Sequence, residues 1–283
     1  MGNFSAVVGA GTMGLGIAHV LAAAGDEVIV VEPDAGRAGT AIGSLTEVAE
    51  SAVARGKLEE TAAKALLARI SVVAAVTDLP ATGADLVVEA VPERVDLKKT
   101  ILRAIEDRCA PAILASNTSG LSIDELATVL ARPERFLGLH FFNPVWVMAL
   151  VEIVNGDRTD PAVLAAAREL VGRIGKEPIV VRNAPGFATS RLGVAIGLEA
   201  MRMFEDGVAC AADIDKAMEL GYRHPMGPLR LTDLVGLDVR LDIARHLEAT
   251  LGPRFTPPQV LIDKVAAGEL GKKSGKGFYD WTT

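Results

Sequence analysis

Residues 7–18 read VVGAGTMGLGIA. They follow an apolar run from Phe4 and lead into an alanine-rich stretch that Gly25-Asp26 interrupts. The next run, Glu27–Glu32, is apolar inside and closes on an acid. The order is strand, tight turn, helix, strand, acid. GxGxxG alone is a weak signal in a chain with 28 glycines, but in this setting it describes a backbone cradle for a dinucleotide. Gly9 permits the turn, Gly11 leaves room for a pyrophosphate, and Gly14 lets the helix pack closely on the sheet. The helix start at Thr12, Met13 and Gly14 would offer unpaired N–H groups to the phosphates. Glu32 would accept hydrogen bonds from the adenosine ribose hydroxyls. A 2′-phosphate there would meet a carboxylate and no obvious arginine, so NAD is expected over NADP. FAD has no second feature calling for it.

Outward from this stretch the pattern keeps alternating. Asp34–Ser71 reads as charged helix, divided by Gly56 into two antiparallel pieces. Strands are expected at Val72–Val76, Leu86–Val91, Ile113–Ala115, Phe136–Leu139, Leu150–Val154 and Ile179–Val181. Helices are expected at Asp96–Cys109, Ile123–Leu130 and Pro161–Ile174. This predicts an α/β, Rossmann-like doubly wound sheet, with some antiparallel pairing among the later strands. After Asn183-Ala184-Pro185-Gly186 the strand signals vanish. Helical stretches follow at Phe187–Glu205, Ala211–Leu220, Leu229–Thr250 (with a bend at Gly236) and Pro257–Ala267. The expected organisation is residues 1–184 as a dinucleotide-binding domain with a helical insertion at 34–71, and 185–283 as an all-helical domain.

Composition narrows the partners. Half of the 283 residues are apolar and 4 % are aromatic, so the core is built from Val, Leu, Ile and Ala. With 29 basic and 36 acidic side chains the formal charge is −7, which argues against nucleic acid as the main partner. No apolar run is long enough to span a bilayer, and the N-terminus does not read as a leader. Cys109 and Cys210 stand far apart, so neither a disulfide framework nor a thiolate metal site is expected, and a reducing, cytoplasmic setting fits.

Four histidines are present. His140 falls at the carboxyl end of a strand, where open α/β sheets place ligands. Glu152 lies within the apolar run LVEIV, where a carboxylate must be paired or neutral. A carboxylate beside an imidazole stabilises its protonated form and fixes one tautomer. Such a pair suits removal of a hydroxyl proton while hydride leaves the same carbon, and the reverse. His140 could equally be a satisfied strand-end histidine, and His19, His224 and His246 read as structural or local groups. Ser116, Asn117, Thr118 and Ser119 end another strand. They could hold a nicotinamide ribose and a substrate oxygen, or cap the helix near Ile123.

Seven blocks in order, VVGAGTMGLGIA, VVEAVPE, SNTSGLSI, HFFNPV..M.LVE, PGF..SRL, GPLRLTDLVGLD and GKKSGKGFYDW, resemble the NAD-dependent 3-hydroxyacyl-CoA dehydrogenases, including 3-hydroxybutyryl-CoA dehydrogenases. HFFNPV followed by LVE is the most discriminating. The resemblance spans nearly the whole chain. It implies His140 as the catalytic histidine and Glu152 as its acidic partner. It implies Ser119 at the substrate's 3-oxygen, Asn143 beside nicotinamide and substrate, and Glu93 and Lys98 at the nicotinamide half of NAD. It also implies a homodimer made through the C-terminal domain, and an acyl-CoA substrate held between the domains. Ser190 stands where many members carry a substrate-contacting asparagine, and Trp146 and Ala149 also depart from the common pattern.

A CoA ester carries phosphate charges that basic side chains should meet. Arg55 and Lys57 are candidates, and the resemblance favours their region; Lys272, Lys273 and Lys276 are the others. The expected reaction is interconversion of (S)-3-hydroxyacyl-CoA and 3-oxoacyl-CoA with NAD, without a metal. Two other functions fit parts of the pattern: an NAD-dependent dehydrogenase of a small hydroxy or sugar acid, and a catalytically silent NAD-binding protein.

Overall fold

The computed structural model describes residues 4–282, so the first three residues and Thr283, at the outer edges of the two expected domains, lie outside the described residues. The chain divides into two compact units between Ala184 and Pro185.

The first unit is an eight-stranded sheet in the order β3-β2-β1-β4-β5-β6-β7-β8. The strands are β1 Phe4–Val8, β2 Val28–Val31, β3 Ile70–Val73, β4 Ala84–Glu89, β5 Ile113–Ser116, β6 Phe136–His140, β7 Leu150–Asn155 and β8 Glu177–Arg182. β1 to β6 run parallel; β7 pairs antiparallel with β6, and β8 runs parallel to β7. β1 is buried along its whole length, as a strand covered on both faces must be. Val7, Val30, Val88, Leu137 and Ile153 from five strands meet Leu21 of helix α1 (Thr12–Ala23) in one core.

The expected long helical insertion is two helices, α2 Ala35–Ala54 and α3 Glu60–Ala68, turned at Gly56. Two expectations need correction. The third strand lies earlier, at Ile70–Val73, because its pairing with β2 ends opposite Val31 and the chain then leaves the sheet. The helix expected at Ile123–Leu130 is one turn, α5 Ile123–Leu126, capped by Ser122 and followed by a tighter turn at Ala127–Val129. α4 Val95–Cys109 and α6 Pro161–Arg173 complete the unit, α6 with Asp160 as N-cap and proline at its first position.

The second unit is helical: α7 Thr189–Glu205, α8 Ala211–Gly221, α9 Pro228–Val235, α10 Leu237–Leu251 and α11 Gln259–Ala266. Gly236, at φ +106°, makes the expected bend a complete break between α9 and α10. Val194, Leu198, Met201, Ile214, Leu241 and Leu247 lie in its core. Two buried aspartates fasten the C-terminal block. Asp233 accepts from the Phe278 and Tyr279 amides and from Trp281 Nε1, each at 2.9 Å. Asp215 accepts from the Leu229 and Arg230 amides, both at 2.8 Å, and from the Tyr279 hydroxyl at 2.7 Å.

Candidate active site

Strands β1, β2, β4, β5 and β6 all end on one edge of the sheet, and the glycine turn, Glu32, Glu93, the 117–119 turn and His140 lie at or just after those strand ends. Gly9 sits at φ +110°, a conformation that a side chain would strain. A Cβ at Gly14 would fall 1.8 Å from the Gly9 carbonyl oxygen. Its missing side chain therefore makes room for the turn itself before it makes room for the sheet. A Cβ at Gly11 would meet nothing within 4 Å, so the space beside it is open. Gly11 also begins α1 with no side chain capping the first-turn amides of Thr12, Met13 and Gly14. A groove of about 840 Å³ runs from this turn past Glu32, and is lined on its far side by Ala74–Thr77 and by Leu97 and Ile101 of α4. Uncapped helix amides, an open Gly11 and an acid at the far end fit a dinucleotide.

Glu32 is buried, and its carboxylate is already well bonded. Oε2 accepts from the Ala10 amide at 3.0 Å, and Oε1 from the Asp34 amide at 2.9 Å. Arg37, in the first turn of α2, adds a bond from Nη2 to Oε1 at 2.8 Å. That bond holds Glu32 below the usual carboxylate range, against burial that works the other way. The expectation that no arginine stands at this corner is therefore wrong. Arg37 is five residues beyond Glu32, and the turn into α2 folds it back onto the strand end.

The next strand ends carry a closed polar network. Glu89, the last residue of β4, accepts Lys98 Nζ at 2.8 and 3.1 Å, Ser116 Oγ at 2.6 Å and the Val91 amide at 2.7 Å. Burial pushes the Glu89 carboxyl upward, and the Lys98 ammonium opposes that shift. Lys98 also donates to the Val91 and Asn117 carbonyls, both at 3.2 Å, and lies 3.4 Å from Glu93 Oε2. Glu93 in turn accepts from the Thr118 hydroxyl and the Ser119 amide. Lys98 is fully buried, with its ammonium turned toward these groups. It fixes the groups that can be touched: Glu93, half-exposed, and the 117–119 turn. Glu89, the centre of this network, was not among the sequence candidates, and an acid inside VVEAVPE carries no local mark of such a role.

His140 and Glu152 face each other directly across the antiparallel β6–β7 pair. Nδ1 of the imidazole lies 2.6 Å from Oε2 of the carboxylate, and both side chains are buried. Because β7 reverses direction, its early residue Glu152 returns to the edge where β6 ends. Asn117 Oδ1 accepts the Phe141 amide at 3.1 Å, tying the end of β5 to the residue after His140. The chain beyond, with Asn143 exposed, is fastened from behind. Buried Lys176 donates to the Val145 and Met148 carbonyls at 2.6 and 2.7 Å. Sequence reading missed Lys176, since carbonyl acceptors leave no trace in residue identity. His19, with its Nδ1 buried and unpartnered, sits beside Trp146, and burial holds it below the ordinary histidine value.

The basic candidates separate into two groups. Lys273 is paired with Asp238 at 2.6 Å, Lys276 with Glu269 at 2.5 Å, and Lys272 lies over the Trp281 ring. The C-terminal lysines thus have partners within their own segment. Arg55 and Lys57, in the exposed turn between α2 and α3, make no ion pair among the described residues. Ser190 lies in the first turn of α7, in the second unit.

Both units match family models. Residues 5–184 match the 3-hydroxyacyl-CoA dehydrogenase NAD binding domain, and residues 186–281 match the C-terminal domain of the same family. The chain is 42 % identical over 280 residues to a 3-hydroxybutyryl-CoA dehydrogenase of Mycobacterium tuberculosis, covering 97 % of each chain. It is 41 % identical over 280 residues to the Escherichia coli 3-hydroxyadipyl-CoA dehydrogenase, covering 98 % of this chain and 58 % of that one. A crystal structure of (S)-3-hydroxybutyryl-CoA dehydrogenase from Ralstonia eutropha superposes with a TM-score of 0.94 at 38 % identity, covering all of both chains. The chain belongs to the 3-hydroxyacyl-CoA dehydrogenase family.

Proposed function

We propose that this oxidoreductase, which interconverts 3-hydroxyacyl-CoA and 3-oxoacyl-CoA with NAD, does so through His140, with Glu152 as its fixed partner, on short acyl chains such as 3-hydroxybutyryl-CoA. The observation that carries the reading is the 2.6 Å contact between the two side chains at the sheet edge that also bears the glycine turn. NAD supplies the hydride acceptor when bound. With Nδ1 of His140 held by Glu152, Nε2 is the nitrogen that takes the hydroxyl proton of the substrate. In the reverse direction the imidazolium returns that proton to the carbonyl oxygen.

Around this centre, Ser119, Asn143 and Ser190 contact the substrate, and Arg55 and Lys57 meet the phosphates of CoA. Gly9, Gly11, Thr12, Met13, Gly14 and Glu32 hold the dinucleotide, with Asn117, Ser119 and Asn143 at its nicotinamide end. Glu93 serves the same end, and Lys98 acts through it. The first unit is the cofactor domain, and the second serves substrate binding and homodimer formation. Supporting the dimer, Leu192, Ile196, Leu231, Leu234, Val235 and Val239 of α7, α9 and α10 expose apolar surface on the second unit. Among the described residues no helix is long and apolar enough to cross a membrane. Two free cysteines suit a reducing, cytoplasmic setting.

The test is turnover with NAD on 3-hydroxybutyryl-CoA, its longer homologues and free 3-hydroxybutyrate. Highest kcat/KM on the short CoA ester is expected. Equal or better turnover of the free acid would contradict the CoA reading, and no turnover of any ester would contradict the reaction. The mass of the particle in solution checks the dimer.

A further inference from the structure

The adenosine end of the groove holds an acid and an arginine together. Glu32 is fixed on both oxygens by the Ala10 and Asp34 amides and cannot swing away. A carboxylate has about four acceptor positions, and the Arg37 bond is the third one filled here, leaving about one for a ribose hydroxyl. Arg37 is far less constrained. Its side chain is 60 % exposed, it lines the groove, and Glu32 is its ion-pair partner among the described residues. A guanidinium presents its five N–H donors in a fixed planar fork, so the bond from Nη2 to Glu32 sets where the whole fork points.

We propose that Glu32 and Arg37 form a cofactor gate: the carboxylate that accepts the ribose hydroxyl also holds back the arginine that would bind a 2′-phosphate. The chain therefore carries a latent site for the 2′-phosphorylated dinucleotide, closed by one side chain. The proposal rests on reading the groove as the dinucleotide site. With both residues present, a 2′-phosphate meets the fixed charge of Glu32 and the nearby charge of Asp34, the N-cap of α2, against one arginine already engaged. Removing the Glu32 charge does two things at once. It lowers the repulsion, and it releases a guanidinium able to make charge-assisted bonds to phosphate. An acid that acted by repulsion alone would do only the first. The two mechanisms therefore differ in whether the gain of NADP binding needs Arg37.

The experiment is titration of NADH and NADPH, followed by nucleotide fluorescence without acyl substrate, on wild type, Glu32→Gln, Arg37→Met and the double variant. Glu32→Gln should weaken NADH and tighten NADPH by about tenfold, equivalent to about 1.4 kcal/mol. Arg37→Met added to Glu32→Gln should erase the NADPH gain. Arg37→Met alone should leave NADPH weak. Unchanged NADPH affinity in Glu32→Gln, or a gain that survives in the double variant, overturns the gate. Because Glu32 is buried, Glu32→Ser serves as a second opening variant, with thermal melts to verify folding, and the same outcomes apply. If wild type fails to bind NADH, the groove assignment itself has failed, which is a different result from a missing gate.

Discussion

Two buried carboxylates stand on the same edge of one sheet, and they have different partners. Glu89 ends β4, and Glu152 sits at the start of β7. Both are fully buried. Glu89 is bonded to Lys98, to a hydroxyl and to an amide. Glu152 is bonded to Nδ1 of an imidazole, a ring with a second nitrogen that can exchange a proton. A buried carboxylate whose lysine partner is itself enclosed makes scaffold; under the function proposed above, the same group held against an imidazole serves proton transfer. The difference lies in the partner, and the fold supplies both partners through the same strand-end geometry.

The comparison can be broken by removing each partner in turn. His140→Gln keeps a donor for Glu152 but cannot carry a proton, so kcat should fall by about 10²–10⁴-fold with NAD binding and melting temperature close to wild type. A variant that retains most of its turnover would remove His140 from the chemistry. Lys98→Met should act on the fold instead: it strands Glu89, and unfolding by denaturant should show a loss of about 3–5 kcal/mol. A Lys98→Met protein as stable as wild type would mean that the Glu89 pair is not scaffold. Lys176→Met leaves two carbonyls behind the 143–148 segment without their donor, and should cost about 1–3 kcal/mol in the same assay.

The same contrast between committed and uncommitted groups sharpens at the surface. Arg55→Ala and Lys57→Ala should each raise KM for the CoA ester by up to about fivefold, since an exposed ion contact contributes about 0.2–1 kcal/mol, and added salt should shrink the effect. Lys276→Ala, which breaks a pair with Glu269, should leave that KM unchanged. The smallest difference concerns the thiols. Burial pushes the Cys109 thiol up to about 11, so at pH 8 it stays protonated and unreactive, and raising the pH toward that value is what would expose a thiolate. Exposed Cys210 should label with a thiol reagent in the native protein, and Cys109 should label after unfolding.

How far the sequence reached follows from the range of each interaction. The turn from Gly9 to Gly14 and the acid at Glu32 were legible because strand, turn and helix are local and each leaves a residue pattern. The Rossmann-like sheet followed by a helical unit was legible for the same reason, through alternation that stops near Pro185. His140 and Glu152 were legible as a pair because a buried acid demands a partner. Arg37 was missed because its contact depends on how the chain turns between β2 and α2. Lys98 entered through the family resemblance alone; its burial beside Glu89 was not legible, because lysines are seldom fully buried and the acid that holds it comes from another strand end. The partners of the C-terminal lysines, Asp238 and Glu269, were not legible because they come from the packing of that segment, which spacing does not reveal.

The central claim is that His140 and Glu152 act as one unit. A double-mutant cycle tests it most directly: kcat for wild type, His140→Ala, Glu152→Gln and the pair, on 3-hydroxybutyryl-CoA with saturating NAD. If Glu152 acts through His140, the double variant loses little more than His140→Ala alone, and the coupling reaches about 1–3 kcal/mol. Losses that multiply in the double variant, with no coupling between the two positions, would contradict it.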